Sequence, residues 1–274
     1  MSGRLVHNSV SDDVTLTVTS TAGSYAATNM QNKQPSLKWR STTDAAQTIS
    51  GDFGAAEVIG CVVLYNHNIS AAGTIAVTLA SNSGFSTDVY TKTVDALDAT
   101  LGYGTQKYGH DGYGGYSELG WQQRFTIIWF TPVSRRYFKV VITDTTNSDE
   151  YIEVGRMMWG DFTNIPYRYG AELGWREQTE VTRTRGGALR SDARDPYRYT
   201  NVESTILTDD ETADVLEIFR AAGRRSDVLW SGFPENTDEY LERRYTMLGK
   251  LMDYSSSIRE AEGSSITFSI EEGL

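Results

Sequence analysis

The chain has 274 residues, 39% of them apolar and 22% charged, with a formal net charge of −11. This composition supports a hydrophobic core, excludes wholesale disorder, and opposes non-specific binding to nucleic acid, whose phosphates an acidic surface repels. The single cysteine, Cys61, excludes a disulfide framework and a cysteine-rich zinc site within one chain.

The first residues, MSGRLVHNSVSDD, show no apolar core of a secretory signal. No window approaches the ~18 continuous apolar residues that a membrane-spanning helix needs. TLTVTST (15–21) alternates threonine with apolar or small residues and predicts a half-buried strand. AEVIGCVVLY (56–65) is a nearly continuous apolar run, too short for a buried helix, in which Cys61 reads as a small buried strand residue. TIAVTLAS (74–81) alternates again, and a further strand lies near 89–93. RFTIIWF (124–130), YFKVVIT (137–143) and YIEVGRMMWG (151–160) follow, all rich in β-branched and aromatic residues. NISAAG, TPVSRR and DTTNSDE read as the turns between them, and strands at this spacing predict a β-sandwich or jelly roll.

Past residue 165 the texture changes. NIPYRYGAELGW reads as a linker or crossing. WREQTEVTRTR (175–185), RYTNVESTIL (198–207), VLWSGF (228–233), RRYTMLGKLMDY (243–254) and SSITFSIEE (264–272) are again strand-like. One helix interrupts them over about 209–222. Thr208 and Glu211 have capping-box spacing, Asp209 and Asp210 suit the first turn, Val215, Leu216, Phe219 and Ala222 form an apolar stripe, and Gly223 supplies the stop. The fold class expected is therefore all-β: a sandwich over residues 1–165, then a β domain with one amphipathic helix over 166–274. No repeat relates the halves.

Motifs for chemistry fail on spacing or context. His7, His67 and His110 lie in separate segments, and neither HExxH nor paired CxxC occurs. Gly115 to Gly120 misses the nucleophile-elbow spacing by one residue. Gly104 and Gly109 have about the gap of a phosphate loop, but His110 and Asp111 stand where Lys and Ser/Thr belong. The expectation is a protein that is not an enzyme, with no catalytic residues, cofactor or metal.

Two segments remain. LGYGTQKYGHDGYGGYSELGW (101–121) carries seven glycines and four tyrosines. A loop of that length in a compact domain is usually functional or disordered, and Tyr103, Tyr108, Tyr113 and Tyr116 are candidate contacts to another subunit. VTRTRGGALRSDARDPYRY (181–199) gathers arginines against the acidic average, with GG and DP marking turns. It reads as a hairpin arm or loop. Simple solvation and a DNA contact are alternatives to an interface role for Arg183, Arg185, Arg190 and Arg194, which would meet acidic partners on another copy.

NMQNKQPSLKWRST, the turn-like Gly51 to Gly54, the apolar strand after it, and Asn66, His67 and Asn68 together resemble the discoidin-like jelly rolls in tail proteins of long-tailed phages. RRYFKVVITDTTNSDEYIEVGRMMWG is similar to that family's last hairpin. By layout, the second region resembles the β-plus-helix domain of tail-tube and distal-tail proteins. The resemblance implies a tail-tip or baseplate protein of the virion, assembled in the host cytoplasm. It also implies a homo-oligomeric ring (a hexamer before a trimer) beside tail-tube and other tail-tip proteins, through which DNA passes without specific binding. The alternative it leaves open is a carbohydrate-binding module that contacts a host glycan.

Overall fold

The computed structural model describes residues 1–96, 124–192, 194–235, 239–260 and 263–273. The chain divides into two compact units: Ser9–Asp161, and a second built from Met1–Asn8 together with Phe162–Leu274. The first strand, β1 (Ser2–His7), thus belongs with the C-terminal half, although the sequence assigns residues 1–165 to one sandwich.

Within the first unit run β2 (Thr17–Val18), a 3-10 turn (Ala27–Gln31), β3 (Trp39–Arg40), β4 (Gln47–His67), β5 (Thr74–Ala80), β6 (Tyr90–Asp95), β7 (Phe125–Thr143) and β8 (Glu153–Gly160). All pairings are antiparallel, in the order β3-β8-β4-β7-β5-β6, with β2 beside β4. The two long strands bend, with register shifts between Asp52 and Glu57 and between Ile59 and Cys61. Beyond those bends the neighbours differ. β5 pairs with residues 137–143 of β7, whereas β8 pairs with residues 61–67 of β4. Bulged strands that serve two layers make the corners of a jelly-roll sandwich. Ile49, Ile75, Val77, Val140 and Ile142 from one layer meet Val62, Leu64, Ile128, Val154 and Trp159 from the other in a single buried cluster.

Three sequence expectations change here. TPVSRR is no turn, because Val133, Ser134 and Arg135 pair with Ile59, Val58 and Glu57 inside one continuous β7. The stretch Gly51 to Gly54 is a bulge within β4: Asp52 accepts two hydrogen bonds from Arg136 at 2.8 Å, and Phe53 packs on Phe138 with ring centroids 4.8 Å apart. TLTVTST forms only the two-residue β2. The run Ile59–Tyr65 is buried at every residue, and this explains why it does not alternate.

The second unit adds β9 (Phe162–Pro166), β10 (Glu172–Arg176), β11 (Glu180–Arg183), β12 (Leu189–Asp192), β13 (Tyr197–Glu203), α1 (Asp209–Ala222), β14 (Asp227–Ser231), α2 (Glu239–Arg244), β15 (Thr246–Glu260) and β16 (Gly263–Glu272). Seven strands form one antiparallel sheet, β10-β13-β16-β15-β14-β1-β9. β1 lies between β14 and β9, so the jelly roll is an insertion in the chain between two neighbouring strands, with Val6 registered against Phe162. NIPYRYGAELGW, which reads as a linker, supplies the end of β9 and much of β10. α1 lays Val215, Phe219 and Ala222 against Val202, Trp230, Met247, Phe268 and Ile270. Its capping box is formed: Glu211 N donates to Thr208 Oγ1 at 3.3 Å and Thr208 N to Glu211 Oε2 at 2.9 Å. The six-residue α2 has no counterpart in the sequence reading.

Candidate functional site

The discoidin-like string does structural work around one surface cluster of the jelly roll. Trp39 is fully buried and donates its indole N–H to the Ser20 carbonyl at 3.1 Å. Strand alternation then turns Arg40 to the other side. There its guanidinium lies between two rings, 4.2 Å from the centroid of Tyr25 and 4.2 Å from that of Tyr151. Arg40 Nε donates to Glu153 Oε1 at 2.6 Å, and Lys38 Nζ sits 3.3 Å from Glu153 Oε2. Donating this hydrogen bond to Glu153 raises the pKa of Arg40 above its already high value, so the stack keeps its charge. Tyr25 is 39% exposed and offers ring surface to solvent.

The segment Asn66, His67, Asn68 positions this cluster. Asn68 Nδ2 donates to the Tyr151 carbonyl at 2.9 Å and to Asp149 Oδ2 at 3.0 Å, and its Oδ1 accepts from Glu153 N at 2.7 Å. These bonds fix the strand start that carries Tyr151 and Glu153. Asn66, at a φ of 56°, donates to the Pro35 carbonyl at 2.8 Å, which holds the segment leading to Lys38. Buried His67 accepts from Ile69 N at Nδ1 (3.2 Å), so its Nε2 carries the proton toward Thr126 Oγ1 at 2.9 Å. That role is structural. Among the described residues no group of three or more His, Cys, Asp or Glu side chains is arranged to hold a metal, and no helix is long and apolar enough to cross a membrane.

The second surface is the arginine-rich segment, which folds as a hairpin of β11 and β12 that, among the described residues, pair only with each other. Its turn is closed by Thr184 N to Ala188 O at 2.8 Å and Gly187 N to Thr184 O at 2.9 Å, with Gly187 at a φ of 86° that favours glycine. Every residue from Glu180 to Asp192 is exposed, including Val181 at 59% and Leu189 at 67%. Arg183 and Arg190 lie in the strands, Arg185 in the turn, and Arg194 just beyond, 3.7 Å from Asp192. Arg198, in the same stretch of sequence, is instead buried and donates through Nε to Glu272 at 3.0 Å. Tyr103, Tyr108, Tyr113 and Tyr116 lie outside the described residues. Of the cluster, Lys38 and Arg40 fall in the first string of the resemblance and Tyr151 and Glu153 in its last hairpin, whereas Tyr25 lies outside both, and no local pattern shows that these segments meet.

No protein-family model matches the chain, and neither does any curated protein. Among solved structures, chitosan-binding module 1 of a chitosanase/glucanase from Paenibacillus sp. IK-5 is similar at 18% identity and a TM-score of 0.40, over 57% of this chain and 100% of that one. The lectin domain of lectinolysin, solved with Lewis B antigen, is similar at 18% identity and a TM-score of 0.39, over 56% of this chain and 95% of that one. A fucose-binding module of Streptococcus pneumoniae is similar at 13% identity and a TM-score of 0.40, over 56% of this chain and 95% of that one.

Proposed function

We propose that the chain is a non-catalytic structural subunit that assembles with copies of itself into a ring at the tip or baseplate of a phage tail, where it connects the tail tube to the tip or receptor-binding apparatus. The setting comes from the resemblance of its sequence to tail proteins. The observation that supports assembly is the arm. A two-stranded hairpin is marginal in water by itself, and this one exposes Val181, Leu189 and four arginines with no layer of the described residues over them. A neighbouring subunit would cover it. The acidic chain suits a passage that DNA crosses without sticking, and a hexamer is the first stoichiometry to test, a trimer the second. Light scattering on the purified chain, with mass spectrometry and electron microscopy of tailed particles from cells that express it, tests the reading. A chain that stays monomeric and is absent from purified particles would overturn it.

A second reading rests on the Tyr25–Arg40–Tyr151 stack: the jelly roll binds a host glycan. Tyrosine rings held rigid beside charged and amide groups are the usual furniture of a polar recognition site. A glycan array with the wild-type chain and the Tyr25→Ala/Tyr151→Ala variant separates the readings. Binding that disappears in the variant supports the glycan role, and no binding to any glycan overturns it.

A further inference from the structure

We infer that the uncovered face of the arm docks on the outer face of α1 in a second copy of this chain. The inference rests on the assembly reading above and names the receiving surface. The two faces of the arm are chemically different. The register pairs Val181 with Ser191 and Arg183 with Leu189 on one face, and Glu180 with Asp192 and Thr182 with Arg190 on the other. Both carboxylates of the hairpin strands therefore share a face with Arg190. The opposite face is apolar and cationic, with Val181, Leu189 and Arg183, and Arg185 sits in the adjoining turn. Arg183, Arg185 and Arg190 form no ion pair with any described residue.

The matching surface is the solvent side of α1. Asp210, Asp214 and Glu217 follow one ridge at helical spacing, with the small Ala213 beside them, and all are exposed. Asp209, Asp210 and Asp214 have no ion pair among the described residues, and Glu217 has only the exposed Arg220 at 3.3 Å. Asp210 and Asp214 repel each other at i,i+4, a local cost that an incoming cation offsets. Partly packed Leu216 and Ile218 flank the ridge at helical spacing and offer Val181 and Leu189 apolar neighbours. A second copy is the occupant because copies with a net charge of −11 repel as wholes. They associate only where a local positive patch meets a negative one, and the arm is positive where the helix is negative. Arm and helix are different surfaces, so the contact is heterologous and propagates head to tail into a ring or filament.

The test is a charge swap read by light scattering of the full chain in low salt. One variant carries Arg183→Glu and Arg185→Glu, the other Asp210→Lys and Asp214→Lys; all four sites are exposed, and circular dichroism checks that each variant folds. Each alone is expected to associate at least tenfold more weakly than wild type. Mixed in equal amounts they are expected to regain assembly, because every arm then meets a helix of opposite charge in alternating order. An alternating ring needs an even number of subunits, so a hexamer is restored and a trimer is not. Loss of assembly in the arm variant with an unchanged helix variant overturns this inference and leaves the assembly reading intact. An arm variant that assembles normally likewise overturns this inference alone, whereas a wild-type chain that is monomeric overturns this inference and, if it is also absent from purified particles, the assembly reading with it.

Discussion

Arg156 presents Nη1 and Nη2 to the two carboxylate oxygens of Asp12 at 2.7 and 2.8 Å, while its own side chain is 1% exposed. Nη1 also lies 3.4 Å from the Met30 carbonyl. One buried cation on β8 therefore holds both the start of the inserted unit and the 3-10 turn that precedes Arg40. Removing the acid leaves a buried guanidinium without the carboxylate that it meets bidentately. Asp12→Ala is expected to destabilise by about 3 kcal/mol, at the lower end for such pairs because the Asp12 side chain is itself 25% exposed. The apolar pair Asp12→Leu/Arg156→Met should be milder than the single change. Urea unfolding of the three variants measures this, and an Asp12→Ala protein as stable as wild type would show that the pair contributes nothing.

Gly155 is a close-approach glycine. A Cβ there would stand 2.3 Å from the Pro35 carbonyl oxygen and 3.0 Å from Asn66 Cβ. Neither neighbour is the end of a flexible side chain, and the same carbonyl accepts the Asn66 bond at 2.8 Å. Gly155→Ala should push the segment before Lys38 away and destabilise by about 2 kcal/mol, as overpacking in a tight core does. If the jelly roll is the glycan-binding surface, the same change weakens binding without touching Tyr25 or Tyr151. A melting temperature equal to wild type would mean the contact yields freely.

What the sequence made legible follows from where the deciding interactions lie. α1 was readable to its ends because its cap, stripe and stop are all local: Thr208 with Glu211, Val215 with Phe219, then Gly223. The arm was readable because a hairpin is also local. The continuity of β7 was hidden because TPVSRR has turn composition, and only its pairing with Glu57, Val58 and Ile59 on another strand keeps it extended. The assignment of β1 was hidden for the same reason, since its partners β9 and β14 are supplied by residues 162–166 and 227–231. The stack at Arg40 joins residues 25, 40, 151 and 153, and a single sequence has no pattern that spans such separations.

The capping box gives α1 an acid-sensitive start. Hydrogen bonds from the Thr208 backbone N–H, and then from its hydroxyl, hold the Glu211 carboxyl below its ordinary range. Asp52 is lowered in the same direction, chiefly by Arg136. A carboxylate depressed in the folded state stabilises fully above its unfolded value, about 4.3 for Glu and 3.9 for Asp, and loses that contribution as pH falls through the folded value. Stability should therefore stay level from neutral pH to about 5 on this account and decline below about 4. Glu211→Gln should flatten that decline, and Thr208→Ala should destabilise by about 1 kcal/mol at neutral pH. Melting temperature against pH is the measurement; an acid limb unchanged in both Glu211→Gln and Asp52→Asn would refute the assignment.

At the alkaline end Tyr167 takes the corresponding role. Burial pushes its pKa up to about 12. Its hydroxyl donates to the Gly232 carbonyl at 2.8 Å, and its ring meets Trp230 edge-on with centroids 5.7 Å apart. The neutral phenol is the form that the fold holds, so its contribution is complete below the unfolded value of about 10 and is lost as pH rises through the folded value. Tyr167→Phe keeps the ring packing but leaves the Gly232 carbonyl without that donor, which should destabilise by about 1 kcal/mol at neutral pH. It should also remove one late-titrating phenol from the ultraviolet titration between pH ~10 and ~12 and soften the alkaline loss of stability there. A titration curve that keeps the same late phase in Tyr167→Phe would assign the high value to another tyrosine. A neutral-pH stability equal to wild type would mean that the bond to Gly232 is replaced by solvent at no cost.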